Sequence, residues 1–193
     1  EWMYQKDIAS GWYCINPNDS IIGSLYPWGW EQPGYNDSHW DIPVWLGSVN
    51  IRYTGQHGPL LLEPRRVKLL HHSIERIPAI VRTENITFAS GKKNFLTGND
   101  SLVVPPASSI TLLLDNQKMT MGFPLLCVSK GKGSTIKVRY AECLFDEKKE
   151  KGNRNEIKGK RMIGYYDVFL PEGGYRRTYQ ALWYRAFRYV QLE

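Results

Sequence analysis

The sequence predicts an all-β protein built as an antiparallel β-sandwich. Phe, Trp and Tyr make up 13% of its 193 residues, alongside 17 Gly and 11 Pro, which is typical of short strands joined by turns. Residues 135–145 alternate, as in Ile136, Lys137, Val138 and Arg139, and a period of two indicates a half-buried antiparallel strand. Similar segments recur at the spacing of a two-sheet sandwich, so a helical bundle is excluded.

Strand signals become regular from about residue 81. Short apolar runs occupy 110–114 and 123–128, and residues 165–170 lead into a Pro-Glu-Gly-Gly turn followed by a run at 175–179. Residues 183–192 also fit a helical period, but their aromatic and β-branched content favours a strand.

The first part of the chain has a different composition. Residues 1–66 are rich in Trp and in turn signals such as Pro-Gly and Asn-Asp-Ser. Pro64 and Pro78 restrict the segment between them to extended structure at both ends. We therefore expect one β domain over 1–66, a linker over 67–80 and a second β domain over 81–193.

The net charge of +6 has a local origin. Residues 130–161 contain 11 basic and 5 acidic side chains, which accounts for the whole excess. Glutamates are mixed with these lysines and no aromatic residues interleave with them, so the basic stretch predicts a solvated or interdomain loop and no nucleic-acid partner. No apolar run reaches the length of a membrane span and no signal peptide opens the chain, so we expect no membrane partner.

The sequence contains few candidates for catalytic or metal-binding residues. The carboxylates of Glu142 with Asp146, or of Glu156 with Asp167, cannot be placed as a catalytic pair from sequence. Tandem histidines at 71 and 72 have no acidic or cysteine cluster nearby, which favours surface histidines over a metal site. Cysteines 127 and 143 are predicted to be buried free thiols, and a disulfide between them in an oxidising compartment is the alternative. We predict no catalytic residue, metal or cofactor in this chain.

An aromatic cluster lies in the turn-rich first part of the chain. Its members are Trp28, Trp30, Tyr35 and Trp40. Large aromatic rings fill the core of a sandwich, stack on the apolar faces of sugar rings, or occupy a domain interface. These three interpretations stay open at the level of sequence.

Several motifs together resemble the bacterial α-L-rhamnosidases of glycoside hydrolase family 78. They are Tyr-Ala-Glu-Cys-Leu-Phe-Asp at 140–146, Lys-Gly-Asn-Arg-Asn-Glu-Ile-Lys-Gly-Lys at 151–160, Asp-Val-Phe at 167–169, Glu-Gly-Gly at 172–174 and the aromatic run at 182–190. Their order and spacing are similar over about residues 90–193. The resemblance implies the concanavalin-like, jelly-roll β-sandwich that precedes the catalytic domain in that family.

The upstream part carries a looser resemblance. Leu-Glu-Pro-Arg-Arg at 62–66 with Ile77-Pro78 is similar to the family's linker between two N-terminal sandwiches. Residues 34–40 are similar to a signature of galactose-binding-like jelly rolls, which implies part of such a domain over 1–66. Fewer residues precede this motif than such modules usually have, so we expect Glu1 to lie inside a domain.

The resemblance also implies a function. Family members hydrolyse terminal α-L-rhamnosides with inversion, using an acid and a base in an (α/α)₆ barrel downstream of the sandwiches. We therefore expect a non-catalytic fragment whose partner is that barrel, in a periplasmic or secreted bacterial enzyme, with a rhamnose-containing carbohydrate as a further partner. An apolar face should be uncovered, and the loop residues Asn153, Arg154, Asn155, Glu156 and Lys158 should pack on the barrel. The alternative is a carbohydrate-binding module that uses the tryptophans.

Overall fold

The computed structural model describes residues 10–11, 18–44, 65–88 and 90–193. The chain divides into two compact units, one formed by Glu1–Lys6 and Pro27–Ile74 and the other by Asp7–Tyr26 and Glu75–Glu193. In the first unit, the described residues 27–44 form mainly turns, and residues 65–74 run without helix or strand. The domain boundaries expected at residues 66 and 80 stay predictions.

The regular elements described in the second unit are strands, apart from one short helix. Its elements in chain order are β1 (Ser10–Gly11), β2 (Ser20–Ile22), β3 (Ala79–Glu84), α1 (Gly91–Thr97), β4 (Thr111–Gly122), β5 (Leu125–Val128), β6 (Ile136–Ala141), β7 (Tyr166–Leu170), β8 (Arg177–Gln180) and β9 (Arg185–Leu192). Every strand expected from residue 110 onward is present, including the one at 183–192. The prediction of an all-β, antiparallel fold is confirmed, and the galactose-binding-like part stays a prediction.

The described strands form two sheets. The larger has seven strands in the order β1-β2-β7-β6-β9-β4-β3, and the smaller pairs β5 with β8. All neighbours are antiparallel except β2 and β7, which run parallel. Phe169 of β7 stacks on Tyr179 of β8, with ring centroids 5.7 Å apart. This contact packs a side chain of the smaller sheet against one of the larger sheet.

β4 is buried on both of its faces. Leu112, Leu113 and Leu114 are consecutive buried residues, which a strand with one solvated face would not show. Leu113 packs with Leu144 and Tyr189 in a core cluster, and Val81, Ile157 and Met162 cover that cluster. A loop segment therefore shields the side of β4 that would otherwise face water.

The helix α1 is the main element that the sequence pattern does not reveal. It has seven residues and ends at Gly98, whose φ of 82° is left-handed. The guanidinium of Arg76 donates hydrogen bonds to the carbonyls of Phe95 (2.9 Å) and Leu96 (2.5 Å), which caps its last turn. No helix among the described residues has the length and apolar character of a membrane span.

Two of the three cysteines, Cys127 and Cys143, lie among the described residues, and they differ in burial. Cys143 is buried and free, as expected. Cys127 is also free but exposed, so the prediction that it is buried is wrong. It lies on β5, where Leu125 and Cys127 alternate with half-buried residues. The small sheet covers the core with one face only, and Cys127 points from the other.

Candidate functional site

Residues 146–161, named the basic loop here, are organised around a buried lysine. The Lys160 side chain is only 8% exposed, and its ammonium lies 3.0 Å from the Glu156 carboxylate. It also donates hydrogen bonds to the carbonyls of Lys151 (2.9 Å) and Asn153 (3.0 Å). A buried ammonium requires such partners because desolvation disfavours an unpaired charge. Lys160 therefore folds the loop on itself.

The basic loop is also fastened to the sandwich. Arg82 of β3 donates hydrogen bonds to the carbonyls of Ile157 (2.9 Å) and Lys160 (2.7 Å). The hydroxyl of Tyr189 donates to the carbonyl of Arg154 at 2.8 Å. Arg188 joins the Asp115 carboxylate to the Asn155 side chain. The loop is thus a fixed part of the surface of this unit.

The five loop residues singled out from the sequence lie together, and all are exposed. Asn153, Arg154, Asn155 and Glu156 each bond within the unit through backbone or side-chain atoms. Within the described part of the chain, the side chains of Arg154 and Lys158 form no hydrogen bond or ion pair, so both are available to another molecule. That the loop packs on a catalytic barrel stays a prediction.

A group of exposed apolar side chains lies where β4 leads into β5 and where β8 leads into β9. The group is named the apolar patch and comprises Met119, Met121, Phe123, Leu125, Leu182, Trp183 and Tyr184. The two connections are adjacent because Gly122 pairs with Arg185 and Leu125 pairs with Gln180. Met121 is 66% exposed. Exposed apolar side chains that lie close together typically mark a surface that another molecule covers.

The interior contains a cluster of charged groups that the sequence does not reveal as a set. Arg185 of β9 binds the Asp167 carboxylate through two hydrogen bonds of 3.0 and 2.7 Å. Asp19 lies 3.2 Å from the same guanidinium. Burial and the Asp167 charge raise the pKa of the Tyr140 and Tyr179 hydroxyls well above the usual range. All these groups are buried, so none of them is exposed to a substrate in solution.

Three of the four carboxylates considered as catalytic pairs have separate partners, and the fourth, Glu142, is exposed. Asp167 is bound by Arg185, whereas Glu156 is paired with Lys160 on the basic loop. Asp146 accepts a hydrogen bond from the backbone of Glu150 and closes a turn. Among the described residues, no group of three His, Cys, Asp or Glu side chains could hold a metal ion.

The aromatic cluster falls in the first unit. The rings of Tyr35 and Trp40 are in contact, with centroids 5.8 Å apart and planes tilted by 57°. Trp28 is half-buried, and Trp30 is 50% exposed. The structure therefore brings two of the four aromatic residues together and leaves a third accessible to solvent. Sugar binding by these rings stays a prediction.

The described strands form a seven-stranded sheet and a two-stranded sheet, an arrangement consistent with a concanavalin-like all-β sandwich. Residues 107–193 match the family model of the bacterial alpha-L-rhamnosidase concanavalin-like domain. These residues are therefore similar to that domain, and the resemblance seen in the sequence is confirmed for them.

Two solved structures resemble the chain at low identity. One is Streptomyces avermitilis alpha-L-rhamnosidase complexed with L-rhamnose, with 17% identity and a TM-score of 0.41. The other is alpha-L-rhamnosidase from Dictyoglumus thermophilum, with 19% identity and a TM-score of 0.42. The similarity extends over 90% and 91% of this chain but over only 14% and 16% of those chains. No curated protein matches the chain.

Proposed function

We propose that this chain is the non-catalytic β-sandwich part of an α-L-rhamnosidase and that it supports the catalytic domain of the same polypeptide. The observation that carries the proposal is the match of residues 107–193 to the concanavalin-like domain of that enzyme family. The parent enzyme would hydrolyse terminal α-L-rhamnosides. The chemistry would take place in the catalytic domain, and the sandwich would hold that domain in place.

The surface features of the sandwich support this role. The apolar patch offers side chains such as Met121 and Leu125, whose burial against a second domain would be favourable. The basic loop offers the charged groups of Arg154 and Lys158 on a backbone that Lys160 holds in one conformation. A preorganised surface loses little conformational entropy on docking. Both features suit a permanent contact with a neighbouring domain.

Hydrolysis of an aryl α-L-rhamnoside tests the non-catalytic assignment. The purified chain should release no more phenol than buffer does, because the proposal places the catalytic groups in the other domain of the parent enzyme. An inactive sample must be shown to be folded by circular dichroism and cooperative urea unfolding. Turnover that follows the chain through two different columns would contradict the proposal.

A second candidate function is carbohydrate binding by the first unit. The half-exposed ring of Trp30 and the contacting rings of Tyr35 and Trp40 favour it, since aromatic faces stack on the apolar faces of sugars. Calorimetric titration with L-rhamnose and rhamnosylated oligosaccharides tests it. Binding that Trp30→Ala removes would support this candidate. Equal heats for the wild type, the variant and buffer would exclude it for these sugars.

A further inference from the structure

Strand β2 lies on the sandwich although Pro27–Ile74, which follow it in sequence, belong to the other unit. Its residues pair in parallel with β7, Ser20 opposite Val168 and Ile22 opposite Leu170. The amide of Val168 donates to the carbonyl of Asp19 at 2.8 Å, and the amide of Gly23 donates to the carbonyl of Leu170 at 2.9 Å. A strand of three residues forms few such backbone hydrogen bonds, so further contacts are needed to hold β2 on the sandwich.

The side chain of Asp19 supplies this contribution. Its carboxylate accepts a 2.6 Å hydrogen bond from the amide of Leu182 and lies 3.2 Å from the Arg185 guanidinium. The backbone amide of Asp19 donates to Asp167 at 2.9 Å. Asp19 therefore bonds to β7, to β9 and to the connection that precedes β9. Its side chain is only 1% exposed.

The charges of this cluster do not balance. Two carboxylates, Asp19 and Asp167, share the single guanidinium of Arg185. Oxygen Oδ1 of Asp19 is buried and has no hydrogen-bond partner among the described residues. The other titratable groups around the cluster are the hydroxyls of Tyr140 on β6 and Tyr179 on β8, and both stay neutral because their pKa values are raised. One negative charge is therefore in excess inside the sandwich.

We propose that the edge of β7, with Arg185 and the Leu182 amide, is a docking site for the segment Asp19–Ile22, and that a proton on Asp19 tightens the docking. A neutral carboxyl removes the excess charge while its carbonyl oxygen still accepts from Leu182. The unpartnered oxygen would then carry the proton, because a medium of low dielectric disfavours the charged form of a buried carboxyl group.

The direction of the pH effect follows from the environment of Asp19. Burial and the Asp167 charge raise the pKa of Asp19 above the ordinary 3.8, against the lowering effect of the Leu182 amide and Arg185. In the released segment the carboxyl is solvated and returns to its ordinary pKa, so release loses a proton. Docking is therefore strongest below 3.8 and weakens as the pH rises through the raised pKa.

Amide hydrogen exchange of the full chain tests this docking site. Protection factors, corrected for intrinsic exchange, are measured from about pH 4.5 to about pH 8 for the amides of Val168, Leu182 and Gly23. They are divided by the protection factors of the β6 amides to give a ratio. The ratio should fall as the pH rises, by at most about tenfold per pH unit, the limit for one proton. Asp19→Asn mimics the protonated carboxyl, so its ratio should stay high and independent of pH. Exposed Glu147→Gln should behave as the wild type.

Two outcomes would overturn the proposal. The first is a wild-type ratio that does not change with pH, and this result decides the matter even if Asp19→Asn fails to fold. The second is an Asp19→Asn variant that folds and keeps the pH dependence of the wild type, since the titrating group would then lie elsewhere.

Discussion

At the scale of single residues, Lys160 determines the conformation of the basic loop. Its ammonium reaches two backbone carbonyls and one carboxylate from a position that is almost fully buried. Lys158, two residues earlier, is exposed and has no such partners among the described residues. The two lysines are similar in sequence context and differ only in what their side chains contact.

We predict that Lys160→Met lowers the free energy of unfolding by about 2–3 kcal/mol, because it leaves the carbonyls of Lys151 and Asn153 without a donor. Lys158→Met should change it by less than about 0.5 kcal/mol, as exposed substitutions usually do. Urea unfolding followed by tryptophan fluorescence measures both. Equal stability of the two variants would contradict the role assigned to Lys160.

A second residue-scale prediction concerns Arg185. Arg185→Met should cost about 3–5 kcal/mol near neutral pH, because Asp19 and Asp167 would remain buried without their cation. The loss should become smaller as the pH falls through the raised pKa of Asp19 and that carboxylate takes up a proton. Arg154→Met, whose side chain is exposed, serves as the control in the same urea titrations. A loss for Arg185→Met no larger than that of the control would show that the cluster contributes little to stability.

The sequence allows only part of this cluster to be predicted. Asp167 belongs to a motif that resembles the rhamnosidase family, so its importance can be suspected. Asp19 lies in an Asn-Asp-Ser tripeptide that is ordinary turn chemistry. Its contact with Asp167 spans 148 positions of sequence, and no local pattern contains information about such a distance.

At the scale of elements, strand prediction succeeds where one face is buried and the other is solvated. β6 and β9 were expected from their alternation and aromatic content, and both are present. β4 extends to Gly122, beyond the apolar run at 110–114, because its register shifts between Asp115 and Thr120. A shift of this kind ends the alternation without ending the strand. Helix α1 has too few residues to show a helical period.

The end of α1 provides an element-scale prediction. Gly98→Ala should cost more than Gly133→Ala, although both glycines have a left-handed φ of 82° or 83°. The conformational cost of about 1 kcal/mol is common to both. An added Cβ at Gly98 would lie 2.7 Å from the Arg76 guanidinium and displace the cap of α1, whereas at Gly133 it would meet no atom within 4 Å. Thermal unfolding compares the variants, and equal melting temperatures would contradict the role of Arg76.

At the scale of the whole molecule, the chain combines a concanavalin-like sandwich with an uncovered apolar patch. It spans 14% and 16% of the solved α-L-rhamnosidases that resemble it. Sequence motifs predicted the family and the all-β class. They did not predict the position of the patch, because its members come from connections whose adjacency depends on the pairing of β4 with β9 and of β5 with β8.

The most direct test of the proposed supporting role is the affinity of this chain for the separately expressed catalytic domain of the proposed parent enzyme, measured by isothermal titration calorimetry. Met121→Glu and Leu125→Glu each place a charge in the apolar patch and should weaken binding about tenfold or more. Val103→Glu changes an exposed apolar residue outside the patch and should bind as the wild type does. Absence of binding by the wild type, or equal affinities for all four proteins, would contradict the account.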